Sequence, residues 1–316
     1  MALLLGIDGG GTKTEAVLCD DTGTFLGRTI EGPTNPTSDS IELIHDRLLA
    51  LLNDLLKNYQ GVNTELAGYY AGIAGGGLGE NQRRLGECLA RLLPNVLHRS
   101  NGSDTVNSLN SGIGMSNGIL VIAGTGSSVS IRINGKMRLI SGWGYLLGDE
   151  GSGYEMGRMA LMQALRAYDG RGAPTLLTRL CEERLGGPVA DHIPRIYQEG
   201  RIYIASFAPL LSRAGEAGDH AAILCMEKSI QALAESIAVA GGQFPEPEKK
   251  TVITGGVFHS NPFMKKRLCE ILGSSYHVIE PDLPPVYGSL LEAAKIASIN
   301  TGREFEERYR STSERK

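Results

Sequence analysis

The chain is poor in several things that would assign it to familiar classes. It has one tryptophan, and its five cysteines are an odd number with no C-x-x-C or other ligand spacing, which argues against a disulfide framework and against a structural metal. No apolar run approaches the ~18 residues that a membrane span needs. The opening Met1-Ala2-Leu3-Leu4-Leu5 lacks a basic flank and meets Asp8 almost at once, so no export signal is expected. Lysine and arginine (31) are outnumbered by aspartate and glutamate (35) and are scattered rather than gathered into a face. Nucleic acid is therefore not expected as a partner. The expectation is a reduced, cytoplasmic protein that binds neither nucleic acid nor membrane.

What is abundant is glycine. The 42 glycines are about twice the usual share of roughly 7%. Many cluster at the ends of apolar runs, where backbone must turn tightly or approach a ligand. The 316 residues are about two domains at roughly 150 residues each. Leu3–Ile7, Lys13–Cys19 and Thr24–Glu31 read as a three-strand meander separated by turns. A helix is expected over Ser40–Tyr59, with Ser38 or Asp39 as its N-cap, because Ile41, Ile44, Leu48, Leu51, Leu52, Leu55 and Leu56 fall at helical spacing. A strand (Ala67–Ala74), a helix (Glu80–Leu93), a strand (Val96–Arg99) and a short helix after Asp104 complete the first half. The stretch from Gly118 to Gly135 repeats the opening pattern: apolar strand, Gly/Thr turn, alternating strand, Asn134-Gly135 hairpin signal. A mostly helical region (Gly153–Gln243), strands Thr251–Thr254 and Tyr276–Glu280, and helices Pro262–Leu272 and Tyr287–Ala297 follow. The fold class is α/β with two mixed sheets. The charged tail Arg303–Lys316 reads as a solvated helix end or frayed chain with no assigned function.

Three turns carry chemistry. In Asp8-Gly9-Gly10-Gly11-Thr12-Lys13-Thr14 a carboxylate ends a buried strand, and exposed backbone N–H groups and hydroxyls suit phosphate oxygens. No G-x-x-x-x-G-K-S/T fits here, and Thr14 stands where a dinucleotide fingerprint needs its third glycine. Asp8 is placed to hold Mg²⁺, through water, because that ion takes oxygen ligands and keeps part of its hydration shell. Taken alone the motif also reads as a plain Gly-rich hairpin. Gly124-Thr125-Gly126-Ser127 is a second hydroxyl-rich turn after an apolar strand, so two duplicated cradles would face one polyphosphate across a cleft. The third, Thr254-Gly255-Gly256, would let an adenine or ribose lie against backbone, or is an ordinary strand-to-helix turn. Trp143 stands between Gly142 and Gly144, and its aromatic face suits a pyranose ring.

Together Asp8 to Thr14, Gly124-Thr-Gly-Ser, Gly142-Trp-Gly, Gly148-Asp-Glu-Gly-Ser and Thr254-Gly-Gly-Val resemble, in this order, the N-acetylglucosamine kinase branch of the BadF/BadG/BcrA/BcrD ATPase family, within the sugar kinase/heat-shock/actin superfamily. The resemblance runs from about Leu4 to Ala297. It implies two ribonuclease H-like (actin-like ATPase) domains with the active site in the cleft between them. The N-terminal lobe would be 1–115, completed by a C-terminal helix at about 287–300. The second lobe would be 116–286 with a helical insertion, and 301–316 the tail. ATP-binding residues implied are Gly10, Gly11, Thr12, Lys13, Thr125, Gly126, Ala208, Gly255, Gly256 and Ser260. Asn35, Asp104, Gly142, Trp143, Gly144 and Asp149 would bind the sugar, and Asp104 would be the general base.

Each of the acids and amides also has a plainer role. Asp104 suits an N-cap, Asn35 a turn before Pro36, and Asp149 with Glu150 favourable charge before the helix that follows. Ser100-Asn-Gly-Ser-Asp104-Thr departs from the Asn-Asp-Ala pattern of relatives. The activity implied is MgATP-dependent phosphorylation of an amino sugar, foremost N-acetylglucosamine at the 6-hydroxyl, with glucosamine or glucose as alternatives, in a chain that pairs as a homodimer by analogy. ATPase activators of dehydratases and reductases in the same family use an iron–sulfur cluster, for which these cysteines provide no constellation. A non-enzymatic nucleotide sensor on the same fold is disfavoured by Asp104, Trp143 and Asp149 together. The clustered Cys/His zinc motif of the neighbouring repressor-related sugar kinases is missing.

Overall fold

A computed structural model describes residues 1–57 and 66–314 of the chain. The chain divides into two compact units, Met1–Ser116 with Pro281–Lys316, and Asn117–Glu280.

In the first unit, β1 (Leu3–Gly9), β2 (Thr14–Asp20), β3 (Phe25–Glu31), β4 (Leu66–Ile73) and β5 (His98–Gly102) form a sheet of order β3-β2-β1-β4-β5. The β1–β2 and β2–β3 pairs are antiparallel, and β4 and β5 extend the sheet in parallel from β1. Strand alternation sorts the core into two layers. Leu3, Leu5, Ile7, Tyr69, Ala71 and Ile73 face α1 (Ile41–Leu56) and α2 (Glu80–Leu92). Leu4, Val17, Cys19 and Tyr70 face the opposite layer, which includes α11 (Pro285–Ile296) and α12 (Arg303–Ser313). The short helix α3 (Asp104–Ile113) packs against α11 on that second face.

Helix α1 buries Ile44, Leu48, Leu51, Leu52 and Leu55, the stripe expected from spacing. Its N-cap is Ser40, whose hydroxyl accepts from the Leu43 amide, rather than Ser38 or Asp39. Ser38 is instead bonded back to the Asn35 carbonyl. The far end expected for this helix, at Tyr59, lies outside the described residues. Strand β5 runs three residues beyond the expected Arg99, because Gly68 to Gly72 of β4 supply it with partners through Gly102. The tail is neither frayed nor simply solvated over its described part. It forms α12, which buries Phe305 and Tyr309 against Phe25 and Tyr287.

The second unit repeats the plan. β6 (Gly118–Ala123), β7 (Ser127–Ile133), β8 (Lys136–Ser141), β9 (Lys249–Thr254) and β10 (Tyr276–Ile279) form a sheet of order β10-β9-β6-β7-β8. Again the first three strands are antiparallel and the last two join in parallel. Between β8 and β9 lie α4 (Gly153–Tyr168), α5 (Leu176–Leu185), a 3₁₀ turn, α6 (Ile193–Ala205), α7 (Ala208–Glu216) and α8 (His220–Gly241). Between β9 and β10 come the one-turn α9 (Gly256–Ser260) and α10 (Pro262–Leu272). One continuous apolar cluster joins these helices to Ile119, Val121, Val129, Ile131 and Ile253 of the sheet. The mixed two-sheet α/β class read from the sequence is the one observed, and the repeated meander is part of a repeated five-strand sheet.

Candidate active site

Parallel pairing puts the carboxyl ends of β1, β4 and β5 side by side, the edge where open α/β sheets bind ligands. Asp8 is the penultimate residue of β1 and projects toward α3. There Asn107, fully buried, donates through Nδ2 to Asp8 Oδ1 at 2.7 Å and to the carbonyls of Gly72 (3.1 Å) and Ile7 (3.3 Å). Gly72 must be glycine, because a Cβ there would overlap the Asn107 amide. Burial pushes the Asp8 carboxyl up to about 6, against the Asn107 hydrogen bond, with the negative charges of Asp104 and Glu15 adding to the rise.

Asp104 is the first residue of α3, one helical turn before Asn107. The N-cap is Ser103, which accepts from the Thr105 amide, so the capping role read for Asp104 belongs to its neighbour. Ser103 also donates its hydroxyl to Asp104 Oδ1 at 3.1 Å. Loss of solvation holds the Asp104 carboxyl above its usual range.

The turn Gly10–Lys13 closes through a bond from the Gly10 amide to the Lys13 carbonyl (2.9 Å), leaving Gly11 and Thr12 exposed. Lys13 pairs with Glu15 at 3.2 Å, and Arg28 meets the same carboxylate at 2.8 Å. The Asn35 amide nitrogen lies close to Gly11, while its Oδ1 accepts from Thr37 N (2.9 Å) and Thr37 Oγ1 (2.7 Å). The turn role of Asn35 is thus realised. Asp8, the Gly10–Lys13 turn, Asn35 and Asp104 share this edge.

The second unit gathers its own set. The turn after β6 closes from Gly124 N to Gly126 O (2.8 Å), and Thr125 is exposed. The first amides of α4 strap it down: Gly153 N donates to Gly124 O (2.7 Å) and Tyr154 N to Thr125 O (3.1 Å). Gly255, at φ 108°, lies so close to the Ala123 carbonyl that a Cβ would collide with it. The Gly255-Gly256 turn therefore lies beside the Thr125 turn. Gly256 faces open space, and Ser260 bonds its hydroxyl to the Gly256 carbonyl at 2.6 Å. Ala208 begins α7 inside the apolar cluster.

After β8 the chain passes through Gly142 (φ 112°) and Gly144 (φ 93°), and Trp143 between them is 65% exposed. Asp149 is buried in a left-handed conformation, φ 60°. Its Oδ1 accepts from Gly144 N (3.2 Å) and its Oδ2 from Arg201 Nη2 (3.0 Å). Burial raises the Asp149 carboxyl above its usual range, with Arg201 and the Gly144 and Ser127 amides opposing the rise.

Sequence reasoning missed Asn107 and Arg201. Asn107 was within reach, because Asp104-x-x-Asn107 spacing puts both side chains on one helical face. Arg201 had no local signal, since it lies 52 residues from Asp149.

These features define an α/β protein built on a duplicated five-stranded sheet, with glycine-rich turns at the carboxyl ends of its leading strands. The pattern of the BadF/BadG/BcrA/BcrD ATPase family matches residues 5–293, and the chain belongs to that family. It is 29% identical over 282 residues to an N-acetylmuramic acid/N-acetylglucosamine kinase of Clostridium acetobutylicum, covering 87% of this chain and 92% of that protein. It is 27% identical over 314 residues to an N-acetyl-D-glucosamine kinase of Dictyostelium discoideum, covering 92% and 97%. A solved structure from Chromobacterium violaceum, provisionally named an N-acetylglucosamine kinase, superposes with a TM-score of 0.71 at 25% identity, covering 92% of this chain and 98% of its own.

Proposed function

We propose that the protein is an ATP-dependent sugar kinase that phosphorylates an amino sugar, N-acetylglucosamine foremost, on its 6-hydroxyl. The observation that carries the reading is the Asp8–Asn107–Asp104 group beside the Gly10–Lys13 turn. It joins two carboxyls of raised pKa to a row of exposed turn amides and hydroxyls at one sheet edge. Family membership and the names of the two relatives support the same reading.

In this reading the Thr12 and Thr125 turns bind ATP phosphates through backbone N–H groups and hydroxyls, and Gly255, Gly256 and Ser260 serve the adenosine. Asn35, Trp143 and Asp149 orient the sugar. The Asp104 carboxylate accepts the proton of the 6-hydroxyl as that oxygen bonds to the γ-phosphorus, and the bond from phosphorus to the β–γ bridging oxygen breaks, releasing ADP. A base held above the ordinary carboxylate range is better matched to this transfer near neutrality.

Asp8 would hold Mg²⁺. Its half-buried carboxylate has the Asn107 amide as its hydrogen-bond donor, and among the described residues no group of three or more His, Cys, Asp or Glu side chains could hold a metal alone. That fits an ion kept largely by water and phosphate oxygens. When bound, the ion would neutralise charge on the transferring phosphoryl group.

The test is ADP release with MgATP against N-acetylglucosamine, N-acetylmuramic acid, glucosamine, N-acetylmannosamine, glucose and no sugar. Stimulation by one sugar names the substrate. Equal release without sugar overturns the kinase reading.

A further inference from the structure

The Gly142–Leu147 segment has little burial to order it. Trp143 is 65% exposed, Leu146 77% and Leu147 82%. Yet it carries the aromatic face assigned above to the sugar, and one side chain of α6 reaches it by two routes, through Asp149 and over Tyr145. Arg201 donates to Asp149 Oδ2, and the other oxygen of that carboxylate receives the Gly144 amide. The Arg201 guanidinium also lies 5.4 Å over the Tyr145 ring, which packs edge-on against Tyr154 of α4 at 5.1 Å. Asp149 adopts a left-handed conformation that costs a non-glycine residue energy and persists only where neighbours hold it. Gly200 breaks α6 at φ 70°, ψ −151° immediately before Arg201. Arg201 Nε is buried and has no hydrogen-bond partner among the described residues, so the side chain is committed to this place at a cost.

We propose that Arg201 is a positioning residue for sugar recognition: it fixes the Asp149 carboxylate and, through it and Tyr145, orders the loop bearing Trp143. The assignment rests on the kinase reading for the identity of the ligand, but the order of the loop does not depend on that reading. A rival role exists, because the guanidinium also abuts Gly126 of the phosphate turn. An arginine serving phosphate would act on ATP rather than on sugar.

Trp143 is the only tryptophan, so the protein's tryptophan emission reports this loop alone. In the full-length, ligand-free chain, Arg201→Ala is expected to lower the steady-state fluorescence anisotropy of Trp143, and Arg201→Lys to keep it near wild type. With MgATP and N-acetylglucosamine, Arg201→Ala should raise the sugar KM about tenfold while the ATP KM stays within about twofold, with Arg201→Lys recovering most of the loss. Unchanged anisotropy and sugar KM in folded Arg201→Ala overturn the proposal. A rise confined to the ATP KM does so as well, and gives the arginine to phosphate. If Arg201→Ala melts too early to assay, Arg201→Gln against Arg201→Lys makes the same comparison of neutral and charged side chains. If wild type shows no sugar-dependent turnover, the kinase reading fails, while the anisotropy comparison still decides the role of Arg201.

Discussion

In the first unit the turn after the leading strand is flanked by acids: Asp8 before it, and Asp104 on the helix that closes the same edge. In the second unit the corresponding turn is flanked by an ion pair, Asp149 with Arg201, and by an aromatic loop. The strand order is the same in both sheets, so the difference lies in what the helices bring to the edge. Burial raises the Asp8 pKa, and the neutral amide that helix α3 places beside it offsets only part of that rise. Helix α6 places a guanidinium beside Asp149, which offsets part of its desolvation. In the proposed reading, one frame thus yields an edge for proton transfer and cation binding, and another that holds a loop.

The largest effect is expected in the first unit. Asp104→Asn removes the proposed proton acceptor while keeping size, and should lower kcat by about 10²- to 10⁴-fold with a small change in sugar KM, read by steady-state kinetics. A rise of similar size in the sugar KM instead would move Asp104 from base to binding residue.

Next comes the pH dependence of stability. The folded Asp8 value, about 6, lies above its ordinary 3.8, so the folded chain binds this proton more tightly than the unfolded chain. In metal-free buffer its contribution is fully present below the unfolded value and falls by about 3 kcal/mol as pH rises from about 4 to above 6. Denaturant titrations across this range should show that decline in wild type and a flatter profile in Asp8→Asn.

The two turns can be set against each other by one methyl group. At Gly126 a Cβ would overlap the Arg201 guanidinium and lie 2.7 Å from Asp149 Oδ2, whereas at Gly11 the nearest atom, Asn35 Nδ2, is 4.0 Å away. Gly126→Ala should therefore cost about 1–3 kcal/mol in thermal or chemical unfolding and Gly11→Ala much less. Equal costs would mean that the second turn is as loosely held as the first. The smallest effect is Trp143→Ala, which should raise the sugar KM severalfold, by about 1 kcal/mol of lost stacking, and leave the melting temperature unchanged because the ring is mostly exposed.

The glycine turns and the repeated meander were legible because both are local: a strand, a turn and a strand occupy some twenty consecutive residues. The turn roles of the site residues were read with less resolution. Ser103 took the cap that Asp104 was offered, and Ser40 the one offered to Ser38 or Asp39, since cap geometry depends on where the preceding chain turns. The Arg201–Asp149 pair was invisible for another reason. Its members are joined only by the folding of the chain through α4, α5 and α6, and a lone arginine in a helix normally reads as a solvated charge. In the tail, Phe305 and Tyr309 lie four apart among charges, a spacing outweighed in the reading by the six charged residues from Arg303 to Arg310 around them.

Helix α11 lies against β1, β4 and α3 and buries Leu4, Val17 and Tyr70 beneath Tyr287, Leu290 and Ala294, yet it is encoded after the whole of the second unit. During synthesis the first 116 residues leave the ribosome with much of one face of their sheet covered by nothing but α3. They must remain so while 164 further residues, Asn117–Glu280, are made. At about 5–20 residues per second that interval is of the order of ten seconds or more. The second unit, contiguous in the chain, can fold as soon as it emerges. The nascent protein thus matures from its middle outward, and the exposed face of the early sheet is where a chaperone or a misdirected neighbour would first take hold.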